Sequence, residues 1–271
     1  MMPKQLEPSQ SAESRATSLA DLRARIDALD ETVHRSLMER ASIIQSLVQV
    51  KRNDRSGSAF RPAREADMMR RLSARHSGML PIATVEHLWR EIISTFTYLQ
   101  ANFSVHLWGG DNPGLARDMA RFQFGFTVPL IEQTSADAVV SAVENSVTDL
   151  GILPLAPQAT NAWWQGLDEQ DGPRVISRLP FIVDGDRADV LAALVISRPL
   201  ADPVAPEIGV FEYSAGDYSN LPDGIDLLVQ AGDTALIAAP GELDGDEVAQ
   251  RLGVSNDVVR PIGGYAAPII L

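Results

Sequence analysis

The sequence predicts two folded parts in series, an all-α N-terminal half and an α/β C-terminal half. Apolar residues recur three or four apart from Leu19 to Val48 with no proline or glycine between them, the period of one long helix. After about Phe103 that period gives way to short apolar or β-rich runs alternating with helix-like stretches. The charge changes at the same place. Residues 1–102 carry 15 basic and 12 acidic side chains, and the remainder 8 basic and 24 acidic. The expected division is a disordered tail over 1–17, a helical domain over 18–102 and an α/β domain over 103–271 with a small α+β end.

Met1 to Thr17 mixes Pro, Gln, Ser and Glu without periodicity, a composition that cannot bury a core. The long helix should start at Ser18, with Asp21 three residues on as an approximate capping box. Its stripe runs through Leu22, Ile26, Leu29, Val33, Leu37, Ala41, Ile44 and Leu47 or Val48. A helix roughly 50 Å long outgrows a small domain, so a partner subunit is the natural cover for that stripe. Asn53 to Ala59, with Ser-Gly-Ser inside, reads as a connection. Pro62 suits the first turn of a second helix, because the missing N–H would have no acceptor there anyway. Ala66, Met69 and Leu72 face inward on it, and it ends near Ser77-Gly78. A third helix runs from Pro81 to about Gln100 with Val85, Leu88, Ile92, Phe96 and Leu99 on one face.

In the second half, strands are expected at 103–107, 127–131, 150–155, 175–183 and 193–197, with helices at 113–122, 136–145 and 160–166. Strands at 208–213, 224–230 and 234–239, a helix at 244–252 and an extended segment over 258–270 complete the chain. The acidic balance and the lack of a basic patch argue against nucleic acid and anionic membranes as partners. There is no cysteine, so disulfides and thiolate metal sites are excluded. No apolar run is long enough to span a membrane and no signal-peptide h-region is visible, so a cytoplasmic protein is expected. The four histidines share no ligand-like spacing and read as surface or satisfied polar residues. Trp163-Trp164 reads as core or lid, or as the wall of a ligand pocket.

The long helix carries Arg23, Arg40 and Lys51, and Arg61, Arg64 and Glu65 follow just after it. Of 23 basic residues only Lys4 and Lys51 are lysine. A compact ammonium required at Lys51 would explain that choice, and so would a solvated charge favoured by the helix macrodipole. With Leu22-Arg23-x-x-Ile26-Asp27-x-Leu29-Asp30, Glu39-Arg40, Val-Gln-Val-Lys ending at Lys51, Pro62-x-Arg64-Glu65 and Trp89 to Gln100, residues 19–101 resemble the all-helical chorismate mutases. The resemblance implies a three-helix module in an intertwined homodimer that converts chorismate to prephenate, a pericyclic step without metal or cofactor. It implies that Arg40, and Arg23 from the partner subunit, grip carboxylates, that Lys51 and Gln100 donate to the ether oxygen, and that Glu65 accepts from the ring hydroxyl. Arg64 would line the same wall. Arg61 stands where some members have aspartate, and is a further carboxylate ligand or a solvated loop charge. Taken singly, Gln100 can also be a surface residue at a helix end and Glu65 a first-turn dipole partner.

The second half resembles, more weakly, the prephenate dehydratase fused to such mutases, which implies an α/β domain of the periplasmic-binding-protein-like type. Ala138 to Glu144, then Asp149 to Leu155, look like the segment before that family's Glu-Asn-Ser, and Val259 to Tyr265 resembles the close of its regulatory domain. The chemistry is missing. Ala156-Pro157-Gln158 replaces Glu-Asn-Ser, and Glu144-Asn145-Ser146 lies too early to substitute for it. The Gly-Pro-x-Gly-Thr entrance stands as Trp108-Gly109-Gly110-Asp111, and the catalytic Thr-Arg-Phe falls on Ala192-Ala193-Leu194. Methyl groups neither donate protons nor hold a carboxylate. The expectation is a dimeric chorismate mutase with an inactive dehydratase-like second half. The alternatives are a non-enzymatic metabolite-binding or regulatory protein, and a bifunctional enzyme that keeps dehydratase activity through other residues.

Overall fold

The computed structural model describes residues 18–51, 60–156, 158–168, 170–185, 191–201, 203–214, 216 and 218–271. The tail expected over 1–17 and the connection over Asn53–Ala59 lie outside these residues, as does the side chain of Lys51. The chain divides into two compact units, residues 1–50 and 51–271. The boundary expected at 102 does not coincide with that division.

The first unit is helix α1 (Leu19–Lys51), 33 residues with both of its predicted N-terminal bonds. The Asp21 N–H donates to Ser18 Oγ and the Ser18 N–H to Asp21 Oδ2, each at 3.1 Å. Leu22, Ile26, Leu29 and Val33 on its apolar stripe are exposed.

In the second unit, α2 (Pro62–Arg75) and α3 (Ile82–Gln100) precede β1 (Val105–Leu107), α4 (Pro113–Phe124), β2 (Leu130–Glu132), α5 (Ala136–Glu144) and β3 (Leu150–Pro154). Then come β4 (Arg174–Leu179), β5 (Ile182–Val183), β6 (Ala193–Ser197), β7 (Ile208–Ser214), β8 (Asp226–Ala231), β9 (Thr234–Pro240), α6 (Gly245–Leu252), β10 (Val259–Tyr265) and β11 (Ile269–Ile270). Among the described residues one nine-stranded sheet runs in the order β2-β1-β3-β6-β4-β10-β7-β9-β8. Its β2-β1-β3 edge is parallel, as βαβ units require, and β6 enters antiparallel to both β3 and β4. The strand expected over 175–183 is two, β4 and β5, divided at the cis Leu179-Pro180 bond. The helix expected at 160–166 is a single 3-10 turn, Trp163–Gly166. Both tryptophans there are core. They meet edge to face with centroids 5.5 Å apart, and Trp164 Nε1 donates to Thr234 Oγ1 at 3.3 Å.

Helices α2 and α3 pack with the sheet half. Ala66, Met69 and Leu72 are buried as expected, in one cluster with Ile82, Ile93, Phe181 and Ile182. On α3 the buried face is Ile82, Glu86, Arg90, Ile93, Ser94, Phe96 and Thr97. The expected face is therefore corrected. Phe96 is inside, but Leu88 and Leu99 are 50% and 58% exposed, because the residues that meet α2 and Phe181 lie round the helix from that stripe.

Candidate functional site

Pro62 at the first helical position sets the entry to α2, with Arg61 as an N-cap whose side chain makes no capping bond. Positions 61 and 64, one turn apart, both reach a cavity of about 520 Å³ within the second unit. Arg70 and Arg174, on α2 and β4, line it with them. Arg70 forms a fork with Glu207, Nη1 to Oε1 at 2.8 Å and Nη2 to Oε2 at 2.6 Å, and this holds the Glu207 carboxyl below its usual range.

Glu65 turns the other way. Its Oε2 accepts from Arg90 Nη1 at 3.1 Å, and Arg90 Nη2 lies 3.6 Å from Glu86 Oε1. All three residues are buried, and the Arg90 guanidinium stands 5.9 Å from the centre of the Phe181 ring. Burial pushes the Glu65 carboxyl up to about 7, against the opposing charge and hydrogen bond of Arg90. Glu65 and Glu86 thus both approach the one Arg90 guanidinium, and Glu65 holds its proton to a higher pH than an exposed carboxyl.

Of the expected site residues, the structure brings Arg61 and Arg64 together in one cavity, with Glu65 on the inner face of the same helix. Gln100, at the end of α3, is half-buried and its Nε2 donates to Phe96 O at 2.9 Å. Arg23 and Arg40 lie on α1 in the other unit. Sequence reasoning passed over Arg70, Arg90 and Arg174. Only Arg90 carried a signal, its i,i+4 spacing from Glu86, which also describes many exposed helix pairs.

In the second half, β6 buries Ala193 and Leu194 completely between β3 and β4, where a catalytic strand would need polar side chains. Asn145 and Ser146 serve local caps: Asn145 Nδ2 donates to Ser141 O, and Ser146 Oγ accepts from the N–H groups of Thr148 and Asp149. Trp108, in the loop after β1, packs on the core cluster that includes Leu153 and the tryptophan pair. His106 is a satisfied buried histidine, 3.3 Å from Asp149 Oδ2 and 2.9 Å from Gln133 Nε2. No group of three or more metal-ligating side chains occurs among the described residues, and no described helix is long and apolar enough to cross a membrane.

Residues 22–101 match the family model of chorismate mutase type II. Bifunctional chorismate mutase/prephenate dehydratases are among the chain's relatives. That of Stutzerimonas stutzeri is 28% identical over 159 residues, 57% of this chain and 43% of the relative. Those of Pseudomonas aeruginosa and Neisseria gonorrhoeae are 29% identical over 154 residues and 30% over 132, covering 55% and 45% of this chain and 42% and 36% of the relatives. Each alignment is longer than the helical part through residue 101, so it runs on into the sheet half. The chain spans less than half the length of each relative it matches. No solved structure matches it. Residues 22–101, from the first turn of α1 to the end of α3, are a chorismate mutase type II domain.

Proposed function

We propose that this protein is a chorismate mutase working as a homodimer, rearranging chorismate to prephenate. The observation that carries the reading is the family match over 22–101, which spans every one of the residues Arg23, Arg40, Lys51, Arg61, Arg64, Glu65 and Gln100. The substrate is a dianion, and guanidinium forks suit its two carboxylates because their donors match a carboxylate in pairs. Negative charge builds on the ether oxygen as the C–O bond breaks. Lys51 and Gln100 are assigned as the donors aimed there, Glu65 as the acceptor from the ring hydroxyl, and Arg23, Arg40, Arg61 and Arg64 as the carboxylate grips. Holding the enolpyruvyl arm over the ring lowers the remaining barrier.

The dimer is supported by two exposed apolar rows, Leu22-Ile26-Leu29-Val33 on α1 and Leu88 with Leu99 on α3. Arg23 is assigned to the partner subunit's site. The second half is read as a dehydratase-related scaffold of binding-protein ancestry without dehydratase chemistry, since a buried Ala193-Leu194 offers no proton donor. The test is loss of chorismate absorbance with purified protein in the presence of a chelator. Wild type should form prephenate, and Lys51→Ala should slow turnover by about two orders of magnitude or more, the scale for losing a transition-state donor. Wild-type turnover in Lys51→Ala would overturn the site assignment.

A further inference from the structure

The cavity beside α2 has a chemistry of its own, built largely from the sheet half. Among the described residues its lining holds four arginines, Arg61, Arg64, Arg70 and Arg174, and one carboxylate, Glu207. That carboxylate is already engaged, by the Arg70 fork and by the Ala267 N–H at 3.0 Å. Arg64 makes no hydrogen bond or ion pair to a described residue. Arg174 gives one long bond, Nη2 to Gln170 O at 3.4 Å, and its enclosed Nε has no acceptor. A concentration of positive charge in a chain with a net charge of −13 calls for an anion. The rest of the wall is apolar, with Val175, Ile176, Leu200, Val204 and Tyr265 facing the same space. About 520 Å³ is within the size range of small-molecule sites. Gly263 and Gly264 also line it, but they serve the strands: a Cβ at Gly263 would meet the Val175 backbone and one at Gly264 would meet Ile208 O.

We propose that this cavity binds a small aromatic or alicyclic carboxylate that bears no amino group. Arg64 and Arg174 supply forks for carboxylate oxygens, and the ring lies against Ile176, Leu200 and Tyr265. An α-amino acid is disfavoured, since its ammonium would find guanidinium groups and a carboxylate already bound to Arg70. Binding does not rest on the mutase reading. Where both hold, a ligand on Arg64 withdraws that residue from chorismate, and it raises KM while leaving kcat unchanged.

Calorimetric titration of the full chain with isophthalate, benzoate and phenylalanine tests this. Isophthalate should bind more tightly than benzoate, and phenylalanine should fail to displace it. Arg174→Gln should weaken isophthalate by about tenfold or more, the scale for one charge-assisted bond. Val204→Glu places a competing carboxylate at a position 66% exposed, where folding is not at stake, and should weaken it likewise. Arg71→Gln, on an exposed arginine paired with Asp67 and outside the cavity, should bind as wild type does. Undiminished binding in Val204→Glu, equal loss in Arg71→Gln, or phenylalanine as tight as isophthalate would overturn the proposal. Chorismate turnover is read on the same samples. Binding without turnover refutes the mutase reading and upholds this one, and turnover without binding does the reverse.

Discussion

The buried cluster of Glu65, Glu86 and Arg90 predicts an unusual pH dependence of stability. A carboxyl that titrates near 4.5 when unfolded and near 7 in the fold keeps its proton in the folded state across that window, while the unfolded chain releases it. The stability it contributes is fully present below about pH 4.5 and is lost as pH rises through about 7. The integrated loss is about 3 kcal/mol, at 1.36 kcal/mol for each pH unit between the two values. Glu207 acts in the opposite direction, since its lowered carboxyl costs stability only as pH falls through the acid range below 4.5. Urea unfolding followed by tryptophan fluorescence isolates the relevant unit, because all four tryptophans, Trp89, Trp108, Trp163 and Trp164, lie in it. With a denaturant slope of about 2 kcal/mol/M, the midpoint should fall by roughly 1.5 M between pH 4.5 and 8. Glu65→Gln keeps the shape and the bond from Arg90 without the ionisation, so its midpoint should stay nearly level over the same range. A wild-type midpoint that does not fall, or an equal fall in Glu65→Gln, would refute the assignment of a proton held on buried Glu65.

Mixing Arg23→Ala with Arg40→Ala chains should restore chorismate turnover, because one composite site of the heterodimer has both arginines; no recovery despite demonstrated subunit exchange would count against a shared site. Gly263→Ala should cost more than about 2 kcal/mol in the urea assay, since φ is +116° and the added Cβ would press on the Val175 carbonyl between β10 and β4. Prephenate incubated with the protein should give no phenylpyruvate above the uncatalysed rate, and enzymatic formation of it would refute the reading of β6.

The long helix, the cap at Ser18, the α2 core face and most strands were legible because each follows from a local period or a local stop. The stretch at 160–166 was misjudged for a tertiary reason. Trp163 and Trp164 are both drawn into the core, where they meet edge to face, and the chain takes only one 3-10 turn to place them there. The cavity arginines were only half legible. Arg61 and Arg64 stood out as neighbours in sequence, whereas Arg174 joins them through β4, more than a hundred residues on, and nothing local marks it.

Helix α3 shows why periodicity alone cannot name a buried face. It has an apolar row through Leu88 and Leu99 and a second face carrying Glu86 and Arg90, and hydropathy favours burying the first. The fold buries the second, because Glu65 on α2 and Glu86 both pair with Arg90, and the Phe181 ring lies over its guanidinium. Partners contributed by α2 and by the bend between β4 and β5 thus reverse the preference that hydropathy sets. Leu88 and Leu99 are then left exposed, as are Leu22, Ile26, Leu29 and Val33 on α1. Leaving both in water forfeits about 25 cal/mol for every Å² of apolar surface that a second copy would cover. That loss supports the proposed dimer.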